Sequence, residues 1–463
     1  MTGFQLSGRR SGSLPFGLTV VQAAVLVAAM AVGAAVMITV GGAAGVAGAL
    51  AAGLVAGFIG WFPDRDGHPA HRHAGRHTRY GLCRLTGRHR HPSPVTWSST
   101  LPALPAPFDT VTVTALADHP NAVPVAVCSH DRTWSVVVPV ASSGGIIDDT
   151  TATDRVLRWG ELLAGLGRDR DLVHLTVSHR RVPVDRAAHD TWVQAVLDPA
   201  ARDRYRTLTT DPGAVVHDQH VTLTVRRPDA WRRILDTLRT GAPAAGLTVG
   251  APWSAVQWCD QVARRVDPTR PWRTPVTVAE RMGVLPLGPV LPAGFDVTRT
   301  AVRAGGVWHR VFQVVEFPTR AVQARWSDPL YGDGPGLYTW TVIARPVPAR
   351  RARRRLTAQA VALRADLEQR ERHGFRIPGP MLDAEAVLDE HEAELHAGDT
   401  DFEWVALLGL CAATKEHLDT VTDAWHDVAA RCGIVLGALD AAHDLALGCV
   451  LPTGLAPGRT WGR

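Results

Sequence analysis

Lys415 is the only lysine in the chain, and that removes one large class of chemistry. A P-loop needs a lysine directly after its glycines to reach the phosphates of a nucleotide. Lys415 sits instead in Ala-Ala-Thr-Lys-Glu. His391 and His396 bracket Glu-Ala-Glu-Leu and resemble a zinc-protease helix only at first glance. Ligands at i and i+4 share a helix face, whereas these stand at i and i+5 and point apart. His71, His73, His77 and Cys83 are ligand types for zinc, but their spacing matches no closed zinc motif. The sequence has no Gly-x-Ser-x-Gly elbow, and no dinucleotide fingerprint follows a strand pattern. Cys83, Cys128, Cys259, Cys411, Cys432 and Cys449 are scattered without paired spacing, as reduced thiols are and a disulfide scaffold is not. The chain therefore reads as non-enzymatic, with no cofactor and no metal. What remains distinctive is charge: Arg350, Arg351, Arg353, Arg354 and Arg355 form a dense run and a candidate docking surface.

Those arginines need elements to carry them, and the stretch that organises the chain is apolar. No charged side chain occurs between Arg10 and Asp64. A helix needs ~20 apolar residues to cross a bilayer, and here there is length for two, near Phe16–Val40 and Ala43–Phe62. Gly41-Gly42 would be the turn between them. A cleaved signal peptide has an apolar core of only ~7–15 residues. The expectation is a transmembrane helical hairpin over residues 1–63. Gly41 with Gly45, and Gly53 with Gly57, have the small-xxx-small spacing that lets helices pack closely. Arg9 and Arg10 precede the first span, and Trp61, Arg65, Arg72, Arg76 and Arg79 flank the second. Positive flanks stay inside, so the chain is expected in the cell (inner) membrane with two spans and both termini cytoplasmic. The flanking arginines would also attract anionic lipid at ~1 kcal/mol each.

An Arg/His-rich and then Pro-rich juxtamembrane linker follows over 64–107. Alternating apolar patterns from Asp109, interspersed with helical ones, define a first α+β domain over 108–265. Residues 266–300 read as a Pro/Gly-rich connection. A second α+β domain spans 301–463, with strong strand patterns from Val307 and from Leu337. Within it lies a helical arm over 349–398. Its basic first helix has Leu356, Ala360, Leu363 and Leu367 at three- or four-residue steps, and its second helix is acidic. Exposed ion pairs contribute little each, so the leucine seam must hold the arm. A nucleic-acid patch is the rival reading of the arginine run; a solvated face paired with the acidic helix is favoured. The closing strand-helix-strand order suits a ferredoxin-like α+β half.

The layout resembles a family of actinobacterial membrane proteins found with conjugation-type, type IV secretion-like machinery. The residues that carry the resemblance are the two-helix amino terminus with its Arg-rich exit, and Gly306-Val-Trp-His with Val315-Glu-Phe-Pro. They continue with Thr339-Trp-Thr-Val, Arg345-Pro-Val-Pro-Ala-Arg-Arg-Ala before the arm, and Leu447-Gly-Cys-Val-Leu-Pro. Such proteins are similar to a short two-helix secretion subunit joined to the amino-terminal domain of an assembly ATPase, with the motor domain absent. The resemblance implies a structural adaptor that docks a separate motor ATPase and other membrane subunits, and that can self-associate. The alternatives are the E component of a type VII secretion membrane complex, and a membrane-tethered nucleic-acid adaptor using Arg65 to Arg90 and Arg350 to Arg355.

Overall fold

In a computed structural model of the chain, one antiparallel sheet collects strands from both ends of the sequence. The structure describes most of residues 70–457 and scattered positions between 31 and 50. Residues 1–30, 51–69, 92–107, 117–124, 184–192, 269–283, 286–293 and several shorter stretches lie outside the described residues. The earlier strands are β1 (Arg90–His91), β2 (Thr112–Leu116), β3 (Val125–His130), β4 (Thr133–Ser142), β5 (Leu172–Pro183), β6 (Val215–Val225) and β7 (Leu247–Val249). The later ones are β8 (Val284–Leu285), β9 (Phe295–Val297), β10 (Val302–Ala304), β11 (Val307–Glu316), β12 (Leu337–Pro346), β13 (Phe402–Ala412) and β14 (Val435–Ala438). Their order is β1-β9-β10-β11-β13-β12-β5-β6-β4-β3-β2-β8, with β14 also on β11 and β7 also on β4. The helices are α1 (Ala70–Leu85), α2 (Asp149–Gly167), α3 (Pro199–Thr209), α4 (Ala230–Gly241) and α5 (Ala255–Val266), then α6 (Asp328–Gly332), α7 (Ala349–Arg372), α8 (Gly379–Ala397), α9 (Lys415–Arg431) and α10 (His443–Val450).

That order is a repeat. A tight β3–β4 hairpin turns at Asp131-Arg132, both left-handed, and β10–β11 turns at Gly305-Gly306. From each hairpin the chain runs helix, strand, a helical connection, strand, helix, strand, helix. The local strand order is β5-β6-β4-β7 in the first repeat and β12-β13-β11-β14 in the second. Registers agree as well: Val137 pairs with Thr222 and Thr222 with Thr176, as Val311 pairs with Gly409 and Gly409 with Thr339. Trp134 and Trp308 hold the same position two residues into β4 and β11. The repeats join antiparallel through β5 and β12, where the equivalent residues Ser178 and Thr341 face each other with hydroxyls 3.3 Å apart.

Helices cover both faces of the sheet. On one face, α2 and α4 bury Leu162, Leu166, Trp231, Ile234 and Leu238 against the first repeat. On the same face, α9 buries Leu418, Val421 and Trp425 against the second. On the opposite face, α5 and α10 pack over the middle with Trp258, Val262 and Leu447. Local chemistry fixes the helix starts. Asp148 accepts from Thr151 N at 2.6 Å and Thr414 accepts from His417 N at 3.1 Å. Ser254 and Gln257 cap α5 reciprocally, each such cap being worth ~1 kcal/mol.

Two expectations are corrected. Among the described residues no helix is long and apolar enough to cross a membrane, which overturns the two-span hairpin and the inner-membrane placement built on it. Apolar composition alone does not make a continuous helix. Gly42 has a left-handed φ of +61°, at the point expected for the turn between the two spans. Arg9, Arg10, Gly41, Gly53, Gly57, Trp61 and Arg65 lie outside the described residues, while Gly45 is helical and buried. The second correction concerns the succession of separate ferredoxin-like domains. Hydrogen bonding between β5 and β12 merges both α+β segments into one sheet. The connection at 266–300 supplies β8 to one end of that sheet and β9 to the other. Alternation shows that a segment is a strand but not which strand it joins, so the merger left no sequence signal.

Candidate functional site

The charged arm leaves the sheet where β12 ends. Pro348 precedes α7, and Gly374, with a φ of +66°, reverses the chain before α8. At 24 residues, α7 is about 36 Å long. Its own small core is Val347, Ala352, Leu356 and Leu395, with Leu388 packed alongside. Arg364 bridges the helices, 3.6 Å from Glu385 and 3.3 Å from Asp389.

The five arginines singled out in the sequence fall into two groups. Arg355 turns back to the sheet, paired with Asp401 and, at 3.0 Å, with Glu403. Arg351 lies 3.8 Å from the same Glu403. These two anchor the arm. Arg350, Arg353 and Arg354 share one helix face at i, i+3 and i+4. They are exposed and have no ion-pair partner among the described residues. The candidate docking surface therefore narrows to three residues.

The flanking arginines also change role. Arg72, Arg76 and Arg79 belong to α1, and Arg79 donates to Asp444 of α10 at 2.7 and 3.3 Å. That guanidinium therefore ties α1 to the fold. Lys415 opens α9 directly after its Thr414 cap. An open groove of about 690 Å³ lies between α2 and α4, but its cation Arg233 is already held by Asp169 and Asp171 at 2.8 and 3.0 Å.

A second cluster was not anticipated from the sequence. On the face under α5, β5 presents His174, Thr176, Ser178 and Arg180, and β6 presents His220, Thr222 and Thr224, all buried. Arg265 of α5 enters from above, its guanidinium 5.1 Å from the Trp253 ring. It donates to His220 Nδ1 at 3.2 Å and to Asp218 Oδ1 at 3.3 Å. Arg180 approaches the same carboxylate through Nε at 3.5 Å. The carboxyl-terminal segment closes the strip. His174 Nε2 donates to Gly454 O at 3.1 Å, and Trp258 Nε1 donates to Pro452 O at 2.9 Å.

Burial dominates the electrostatics of this strip. It lowers Arg265 to about 9, helped by repulsion from Arg180, and it lowers Arg180 as well. It holds His174 down to about 3 and His309 down to about 4, and His220 well below its ordinary value. The Cys411 thiol is pushed up to about 12. These histidines are neutral and the thiol is inert. Several polar atoms have no hydrogen-bond partner among the described residues: Arg180 Nε and Nη1, Arg265 Nε, His220 Nε2, Thr176 Oγ1 and Thr222 Oγ1. Each such buried group costs ~1–3 kcal/mol if left unmet, against a total stability of ~5–15 kcal/mol for a typical protein. The strip is thus an energetic liability that hydrophobic burial alone would not create.

The sequence held one usable hint. Polar residues alternate along β5, and that pattern normally marks a solvent face. Had the spacing of Trp134 and Trp308 been read as a repeat, helices would have been placed over that face. Comparison with protein-family models and with curated proteins yields no match.

Proposed function

We propose that the chain is a non-enzymatic docking component of a conjugation-type, type IV secretion-like machine, holding a separate motor ATPase through its helical arm. The observation that carries this reading is the face of Arg350, Arg353 and Arg354, exposed and unpaired at the root of an arm already anchored by Arg355. Arginine presents a planar fork that pairs bidentately with carboxylates. The fitting partner surface is therefore an acidic patch. Because the arm has its own apolar seam and a two-point ionic anchor, it can present this face without disturbing the sheet.

The test is co-purification from cells that make the ATPase. Deleting residues 349–398 should leave a folded protein that no longer recovers the ATPase, and Arg350→Glu, Arg353→Glu and Arg354→Glu together should do the same with the arm in place. A folded deletion variant that recovers the ATPase at wild-type yield removes the arm as the docking element. Failure of the full chain to recover any ATPase removes the docking role.

A further inference from the structure

The first repeat also departs from the second on the sheet face turned away from the polar strip. There His179 stands opposite Gln219 and Arg181 opposite His217. At the same registers the second repeat sets Val342 against Ala406 and Ala344 against Trp404. This backbone therefore accepts an apolar set, and the fold does not call for the two histidines. They are diagonal neighbours on adjacent strands, and their rings meet: His179 Nε2 lies 2.9 Å from His217 Nδ1. The Gln219 amide holds the other nitrogen of His179, 3.1 Å from Nδ1. Tyr331 packs edge-on against the His179 ring at 4.8 Å between centroids, and Tyr338 stacks on it at 6.1 Å. His179 is half-buried and His217 exposed, so the pair is held on one side and open to water on the other. Burial, and then repulsion from His217, lowers His179 to about 4. Burial, and then Arg181, lowers His217 as well. Both rings are neutral at pH 7, the state in which imidazole binds metals.

We propose that His179 Nε2 and His217 Nδ1 together bind one divalent transition-metal ion of tetragonal geometry, copper(II) or nickel(II). Two metal–nitrogen bonds of ~2.0–2.1 Å meeting at a right angle span ~2.9 Å, and the two nitrogens already stand 2.9 Å apart. Tetrahedral zinc needs a wider angle and ligands ~3.3–3.4 Å apart. Calcium and magnesium take oxygen ligands, and among the described residues no carboxylate, cysteine or third histidine joins the pair. Water would fill the remaining positions from the open side of His217. Arg181 stands opposite His217, but its guanidinium is turned to the Gly334 carbonyl. With the Gln219 amide donating to Nδ1, the His179 proton sits on Nε2 and bridges to His217. On metal binding that proton moves to Nδ1, where the Gln219 amide, turned over, accepts it through Oε1. Both lone pairs then face the ion, and no net proton is released. Gln219 becomes the outer partner that orients a metal-bound histidine. The site ties β5 to β6 and is independent of the arm and of any partner docked there.

The test titrates the untagged full-length chain with nickel(II) chloride, beside His179→Val, His217→Trp, which copies the second repeat. The parent should bind one equivalent more than this variant at pH 7. His217→Ala changes only an exposed side chain and should lose the same equivalent if the double variant does not fold. Because the pair resists protonation, the equivalent should persist at pH 5.5, where histidines with an ordinary value of ~6.5 are mostly charged. Gln219→Ala does not touch the ion and should weaken its binding by ~10–100-fold. Crystals soaked in nickel(II) should show an anomalous peak ~2.1 Å from both His179 Nε2 and His217 Nδ1. Equal stoichiometry in the parent and the folded histidine variants overturns the inference, as does a nickel map with no peak between the two rings. Binding that is lost by pH 5.5 and indifferent to Gln219→Ala means an adventitious ion only, and overturns it too.

Discussion

Where β5 and β6 set Arg180 against Asp218, β12 and β13 set Ile343 against Val405, on one backbone plan, with Arg180 and Ile343 buried and their partners half-buried. A second contrast lies in the connection between the middle strands of each repeat. In the first repeat it carries α3, of 11 residues. In the second it carries the arm α7–α8, whose first helix alone has 24. The helix after the first strand reverses the trend, with 19 residues in α2 and 5 in α6. What the repeats share is the apolar framework that folds: Val137 and Val311, Trp134 and Trp308, Leu223 and Leu410 at matching registers. What they do not share is where the chain departs from that framework: the buried polar strip of β5 and β6 lies in the first repeat and the charged arm in the second.

Acid should have the largest effect, through buried histidines of both repeats. His174, His220 and His309 are all buried and neutral, their proton affinities lowered first by burial. The unfolded chain takes up protons near the ordinary histidine value of 6.5, while the folded chain resists until about 4 at His309 and about 3 at His174. These three groups therefore contribute ~4 kcal/mol per pH unit to a loss of stability as pH drops below 6.5. His179, His217 and His443, also lowered by burial, add to it. Chemical denaturation between pH 7 and 5 measures this. His220→Leu, which copies Leu407, should reduce the slope by ~1.4 kcal/mol per pH unit.

Removing one charge from the strip is the next largest effect. Asp218→Val alone leaves Arg180 and Arg265 without their shared carboxylate and should cost ~3–5 kcal/mol in urea unfolding. A smaller loss is expected at the carboxyl-terminal closure. A Cβ at Gly454 would lie 1.8 Å from Ser135 Oγ on a backbone with φ of +75°, so Gly454→Ala should cost ~2–4 kcal/mol. Gly306→Ala in the β10–β11 turn meets nothing within 4 Å and should stay within ~0.5 kcal/mol of the parent. The smallest effect belongs to the arm. Arg350→Ala, Arg353→Ala and Arg354→Ala together should leave the melting curve within ~0.5 kcal/mol of the parent while lowering ATPase recovery.

Much of the framework was legible in the sequence because it obeys simple periods. β4, β6, β11 and β12 announced themselves by their strand patterns, α7 by leucine spacing before the break at Gly374, and α8 by its acidic run. Helix α2 begins at Asp149, earlier than its apolar positions indicate, because the Asp148 cap rather than the apolar stripe fixes its start. Non-local pairing was not legible: β5 meets β12 across more than 150 residues with no local signature. Nor was the burial of Arg180, because a strand with one polar face reads as half solvated until α5 is laid over it. Of the five arginines that open the arm, sequence could not tell the anchors from the free face, since Asp401 and Glu403 lie beyond α8.

The central claim is that the polar strip is an addition to a fold that does not need it. Urea unfolding of Arg180→Ile, Asp218→Val, His220→Leu, Arg265→Met at pH 7 tests it directly. Replacing a buried ionic group by packed apolar residues is often neutral or stabilising by ~1–4 kcal/mol. The fourfold variant should therefore unfold cooperatively with a midpoint at or above the parent's, in contrast to Asp218→Val alone. A fourfold variant that fails to fold, or that loses as much stability as the single substitution, would show that the first repeat needs its charges to fold.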